Sequence, residues 1–327
     1  MENRKHILLF LLFHLCVIGV AQDALMHTQS VMKQEFINPA YNSFKDFASV
    51  NLMSRYQWVS KIDGAPETYA VNAYSPINLS GLGVGFMAIN QSIGLRRRLS
   101  FAGSFSHNLR INSSNYLAFG YSVGFQSVAY DVQRLETYPD LDLGTIDFNV
   151  TNTTAAFGLV FYDPAYFVGL SSNLLFGGNK SGSGWLIPGF DLTSGFMYSI
   201  SKGVFFRPDF VLKYYPVKQT IYENGKQYQS LVSPLLDIGI NFLLADKVWL
   251  GTSHRFGQAQ TCSVDVLIRE AFKIGYTYEI GMGKGINQFS SQGIRLTWNF
   301  IPKRALKGFD RSGRHNTKGR MCTYLYR

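Results

Sequence analysis

The sequence predicts an all-β chain, a transmembrane outer-membrane β-barrel of about fourteen antiparallel strands. Three observations carry that expectation. The chain is 46% hydrophobic and 15% aromatic but only 16% charged, where a soluble domain carries about a quarter of its residues as charges. Past residue 21 no apolar run approaches the roughly 20 residues of a membrane-spanning helix. Segment after segment alternates instead between apolar and small or polar residues, the period of a strand with one greasy face.

Residues 1–21 read as a secretory signal. Arg4, Lys5 and His6 form the positive start, 7–20 the apolar core, and Gly19-Val20-Ala21 the small-residue cleavage site. Cys16 leaves with the signal, and Cys262 and Cys322 alone make no disulfide framework. Residues 22–46 form a pre-barrel segment, expected on the periplasmic side. Its Asn38-Pro39 pair initiates a turn, and Tyr41 is suited to anchor the segment against the rim or inside the lumen.

The barrel is expected over 47–301. Its clearest strand is 116–126, where Leu117, Phe119, Tyr121, Val123 and Phe125 share one face and Ala118, Gly120, Ser122, Gly124 and Gln126 the other. In a bilayer the first face meets lipid and the second lines the lumen. Fourteen segments read this way: 47–58, 67–75, 82–90, 98–109, 116–128, 153–162, 165–175, 187–200, 203–214, 233–243, 247–255, 261–268, 271–280 and 292–300. Every second connection is short, while those at 59–66, 91–97, 129–152, 176–186, 215–232, 256–260 and 281–291 are mostly longer. Bacterial barrels have short periplasmic turns and long extracellular loops, so the parity puts both termini on the periplasmic side. Tyr56, Trp58, Tyr198, Tyr214, Tyr278 and Trp298 fall near strand ends, where aromatic girdles belong.

Charge separates the body from the tail. Residues 302–327 hold eight basic residues against Asp310, a net +7 of the chain's +10, and the body 22–301 is left at +2. The high isoelectric point thus describes a basic C-terminal tail and gives no support to nucleic-acid binding. Within the body, alternation turns Arg55, Arg207, Lys213, Arg255, Lys273 and Arg295 inward, together with Asp191, Asp209, Asp237, Asp265 and Glu279. Such a balanced lining fits paired charges in a filled lumen better than a pore selective for one ion sign.

Apparent catalytic motifs dissolve on inspection. Gly81-x-Gly83-x-Gly85 alternates with Leu82, Val84 and Phe86 inside a strand, and Gly281-Met282-Gly283-Lys284-Gly285 lacks the Ser or Thr of a phosphate loop. His27, His107, His254 and His315 stand apart, without a second ligand at metal spacing. No enzyme, cofactor or metal is expected.

Three ordered elements resemble the PorP/SprF family, outer-membrane proteins of the type IX secretion and gliding machinery of Bacteroidota. They are Asn38-Pro39-Ala40-Tyr41, then Tyr56-Gln57-Trp58 leading to Gly64-Ala65-Pro66-Glu67-Thr68, then Ser75-Pro76-Ile77 followed by Gly81-Leu82-Gly83. The likeness extends over about 22–301, and the tail departs from it. It implies a non-enzymatic barrel that couples to periplasmic and translocon subunits, or assists secretion and surface display of adhesin-type substrates. Asn38, Pro39, Tyr41, Trp58, Gly64 and Pro66 are then the candidate partner-binding residues. The rival readings are a diffusion porin or apolar-solute channel, and a structural barrel of unknown partners.

Overall fold

The computed structural model describes residues 34–43, 47–59, 64–77, 81–130, 149–178, 184–214, 218–223, 226–231, 234–268, 271–283 and 288–300. The signal at 1–21 and the tail at 302–327 lie outside the described residues. Seventeen strands follow in order: β1 (Ala48–Tyr56), β2 (Glu67–Pro76), β3 (Leu82–Ile93), β4 (Arg96–Arg110), β5 (Tyr116–Tyr130), β6 (Asn149–Tyr162), β7 (Tyr166–Gly178), β8 (Gly184–Phe196), β9 (Tyr198–Ser201), β10 (Val204–Tyr214), β11 (Lys218–Glu223), β12 (Lys226–Leu231), β13 (Leu235–Leu244), β14 (Val248–Arg255), β15 (Ala259–Ile268), β16 (Phe272–Gly281) and β17 (Ser291–Phe300).

Each strand of the main sheet pairs antiparallel with its neighbours, β10 pairs with β13, and β17 returns to β1 from Ala48↔Phe300 to Tyr56↔Gln292. The result is a closed barrel. β9 is a short continuation of β8 against β10, so the wall has the expected fourteen strands. Closure pairs the backbone groups of the edge strands, the condition for a sheet to cross hydrocarbon. β11 and β12 form a separate hairpin within the connection from β10 to β13.

The two faces are those of an inside-out protein. On β5, Tyr121, Val123 and Phe125 are exposed at 49, 57 and 50%, while Ser122 and Gly124 between them are half-buried and Ala118 and Gly120 on the same inward register are buried. Ten of the eleven expected inward charges are buried, and Lys273 is half-buried on the same register. At the rim that carries the chain ends, Trp298 stacks on Phe300 at 5.8 Å with Phe272 edge-on, part of an aromatic girdle.

Several long connections are shorter than in the sequence reading, including 176–186, which pairs from Phe176↔Leu186 to Gly178↔Gly184. The expected 91–97 loop is a two-residue turn at Gly94-Leu95, because β3 and β4 continue upward through Gln91↔Arg98 and Ile93↔Arg96. Gly94 takes the positive φ of 55° that this turn needs. The 129–152 connection is shortened at both ends by Val128↔Val150 and Ala129↔Asn149. In the latter two places the chain is too polar to read as lipid-facing, yet it pairs in the ladder. β4 and β5 have 15 residues each, longer than the roughly 9–11 needed to cross a membrane.

Candidate functional site

The lumen is where side-chain chemistry concentrates, and the chain's own leader occupies part of it. Residues 34–43 fold as two 3-10 turns, Gln34–Phe36 and Pro39–Ser43, with every residue buried. Local chemistry explains the shape. The Asn38 side-chain oxygen accepts a hydrogen bond from the Ala40 N–H at 2.9 Å, an Asx turn, while Pro39 fixes φ where the turn begins. The Tyr41 N–H donates to the Asn38 carbonyl at 3.2 Å, and the Ser43 hydroxyl donates to the Ala40 carbonyl at 3.2 Å.

Longer contacts fix the leader to the wall. The Asn38 amide donates to the carbonyls of Leu159 and Leu170, at 3.3 and 3.2 Å, which face each other across β6 and β7. The Tyr41 hydroxyl meets Thr193 at 3.0 Å and its ring packs edge-on to Phe167 at 6.2 Å. Asn42 donates to the Ser104 hydroxyl at 2.7 Å, and the Ser171 hydroxyl donates to the Ile37 carbonyl at 3.3 Å. Phe36 closes an apolar cluster with Met53 and Ala70, against Met87 and Ile89. Beneath the turns the wall is glycine. A Cβ on Gly120 would stand 2.6 Å from the Ala40 nitrogen, one on Gly83 would stand 2.7 Å from the Asn42 carbonyl oxygen, and one on Gly158 would overlap the Asn38 side-chain oxygen.

Beside and across from this seat the lining is ionic. Glu279 on β16 binds Arg55 at 3.0 Å and Arg255 at 3.2 Å, and Arg255 reaches Asp237 at 3.4 Å. Arg295 binds Asp265 through Nε and Nη2, at 3.2 and 2.8 Å, and donates to Thr277 at 2.7 Å. Arg207 holds Asp209 at 3.0 Å with its guanidinium 5.3 Å from the Trp249 ring, and Asn241 donates to the same carboxylate at 2.6 Å. Burying a charge is tolerable only when it is paired and hydrogen-bonded. These side chains meet that condition, Arg207 and Asp209 within β10 and the others by joining strands to one another around the lumen wall.

The six sequence candidates are not brought together. Asn38, Pro39 and Tyr41 lie inside the lumen. Trp58, Gly64 and Pro66 lie at the opposite, long-loop rim, where the Gln57 N–H donates to the Pro66 carbonyl at 2.9 Å and the Gly94 N–H donates to the Gly64 carbonyl at 2.8 Å. Trp58 and Gly64 both take positive φ there, 53° and 74°. Sequence reasoning missed the seat itself: Gly83, Gly85, Gly120, Gly158, Gly169, Ser104 and Thr193. The available signal was a glycine on the inward register of β3, β5, β6 and β7. Among the described residues no group of three His, Cys, Asp or Glu side chains is placed to hold a metal ion.

Comparison with known families decides the identity. The type IX secretion system membrane protein PorP/SprF family matches residues 19–300. The chain belongs to this family. Membership and the closed barrel together place it in the outer membrane as part of a secretion-system membrane family. None of the curated proteins matches it. Solved structures with a similar barrel include the monoaromatic hydrocarbon channel CymD, at 12% identity over 86% of this chain and 94% of that one with a TM-score of 0.46. The Pseudomonas putida toluene transporter TodX matches at 8% identity over 84% and 94%, TM-score 0.45. The Acinetobacter baumannii outer membrane protein Omp33 matches at 9% over 79% and 100%, TM-score 0.45. At these values the likenesses carry no argument about what passes through or binds this PorP/SprF barrel.

Proposed function

We propose that the chain is a non-enzymatic barrel of the type IX secretion and gliding machinery, which couples to periplasmic and translocon subunits and assists the secretion and surface display of adhesin-type substrates. The occupied lumen carries this reading. A diffusion porin needs an open, hydrated bore, whereas here the leader turns are buried on one wall and the charges of the other are engaged in pairs. A barrel built so acts through its rims. By loop parity the rim with the short turns and chain ends faces the periplasm, where the basic 302–327 tail supports contact with acidic patches on partner subunits. Trp58, Gly64 and Pro66 then form an extracellular partner surface, while Asn38, Pro39 and Tyr41 act from within the lumen.

The test is a strain lacking the protein, complemented by a tagged copy. The reading expects loss of secretion or display of a subset of type IX substrates on deletion, and recovery of periplasmic or translocon subunits after crosslinking in native membranes. Normal secretion in the deletion strain, with only lipid recovered alongside the tagged barrel, overturns it.

A further inference from the structure

We propose that residues 34–43 are a displaceable plug, a ligand in cis seated on a glycine floor, whose departure opens a water-filled passage through the barrel. The inference goes beyond the secretion role and is tested on the purified protein, so that either can fail without the other.

The barrel is complete without the leader. The fourteen-stranded wall closes through β17 and β1, and residues 34–43 add no strand to it. Hydrogen bonds from leader to wall include those of Asn38 to two carbonyls, Tyr41 to Thr193, Asn42 to Ser104, and Ser171 to the Ile37 carbonyl, all through side chains rather than a shared backbone ladder. On the opposite wall the pairs Arg55–Glu279 and Arg295–Asp265 join strand to strand. Withdrawal of the leader therefore leaves the backbone ladder intact, together with the Arg55–Glu279 and Arg295–Asp265 pairs.

The seat, in contrast, is shaped by the leader. Glycine inside a strand packs poorly and marks a close backbone approach. Gly83, Gly120, Gly158 and Gly169 face leader atoms so closely that a Cβ on any of them would collide, at 2.9 Å from the Tyr41 hydroxyl in the case of Gly169. Gly103, on the lipid-facing register of β4, is the contrast, because a Cβ there meets nothing within 4 Å. Behind the turns stand Ser104, Ser106, Ser171 and Thr193, hydroxyls that water can serve once the leader is gone. The closed state is the resting one because Ala40 and Tyr41 are packed among Tyr116, Val160, Tyr162 and Phe167.

The experiment measures conductance of the full-length mature barrel in planar bilayers, in a Cys262→Ser/Cys322→Ser background. In Gly120→Val/Gly158→Val the added side chains fill the seat, and steady openings are expected at least about ten times as often as in the parent. Asn42→Cys/Ser104→Cys, bridged by a short bifunctional thiosulfonate, is expected to abolish the parent's rare openings, with recovery on reduction. Three results overturn the proposal. One is a seat-filled variant that is heat-modifiable yet as silent as the parent. Another is a bridged protein that conducts like the unbridged one. The third is failure of the seat-filled variant to insert while Gly103→Val inserts normally, which makes the seat an assembly element.

Discussion

Arg55 on β1 and Glu279 on β16 meet at 3.0 Å, reaching over β17 and so stapling from the lumen side the strand pair that closes the barrel. Two further cross-seam bonds accompany it, Ser49 to Asn299 at 2.8 Å and Thr297 to Asn51 at 2.9 Å. Glu279 also holds Arg255, so one carboxylate serves two guanidinium groups. Breaking a buried pair by removing one partner costs about 3–5 kcal/mol. Glu279→Gln is therefore expected to destabilise by about that much, and Arg55→Met by less, since Glu279 then keeps Arg255. Urea titration of the refolded barrel in lipid vesicles reads the difference. Equal losses for the two variants would show that the second arginine adds nothing.

The two faces of β5 give the second prediction. Tyr121 is directed to lipid and Gln126 to the lumen. Tyr121→Arg is expected to cost about 2–4 kcal/mol if it sits near the bilayer midplane. Gln126→Arg should cost less, because a lumen residue keeps water and polar neighbours. The same vesicle titration compares them, and a larger cost for Gln126→Arg would mean that the faces are reversed.

The strand count and the faces were legible because lipid and lumen impose opposite demands on alternate residues, and no later packing blurs them. Leu117 to Gln126 state that contrast in ten consecutive positions. The inward charges followed from the same alternation, though not their pairing: Arg55 and Glu279 are 224 residues apart. Arg96 and Arg97 read as loop for lack of an apolar face, although they begin β4. The leader's seat was illegible for a different reason. Gly83, Gly120 and Gly158 each look like the small face of one strand, and become a floor only when the register aligns them and Asn38 reaches Leu159 and Leu170, 121 and 132 residues away.

Orientation yields a third prediction. If the long-loop rim faces outward, the β11–β12 hairpin is extracellular. An epitope inserted between Glu223 and Lys226 should bind antibody on intact cells, whereas a thiol placed at the exposed Ser113, in the short turn between β4 and β5, should react with an impermeant maleimide only after the outer membrane is opened. The reverse pattern refutes the parity argument.

The seat can be probed by single methyl groups. Gly158→Ala places a Cβ on the Asn38 side-chain oxygen and, as an overpacked site, should cost about 1–3 kcal/mol. Gly103→Ala has open space around it and should be neutral or stabilising by up to about 1 kcal/mol, since alanine loses less backbone freedom on folding. Both are read by denaturant midpoint in vesicles, and the ordering of the two is the outcome that matters.

The last prediction joins the leader to secretion. Asn38, Pro39 and Tyr41 shape a turn that adds no strand to the barrel, while β1 to β17 close the ladder around it. Changing all three at once, as Asn38→Ala/Pro39→Ala/Tyr41→Phe, removes the Asx turn, the fixed φ and the Thr193 hydrogen bond together. The barrel should still insert and remain heat-modifiable, because neither its backbone pairing nor its ion pairs run through these side chains. Secretion or adhesin display should fall, since the leader is the one described segment that lies in the lumen and continues toward β1 at the terminal rim. Deleting 302–327 should have a smaller effect on partner retention, weakening further as salt shortens the screening length to about 3 Å at 1 M. Immunoblots of culture medium and of outer-membrane fractions separate the outcomes. A triple variant that fails to insert makes the leader an assembly element, and one that secretes normally makes it a passive filling of the lumen.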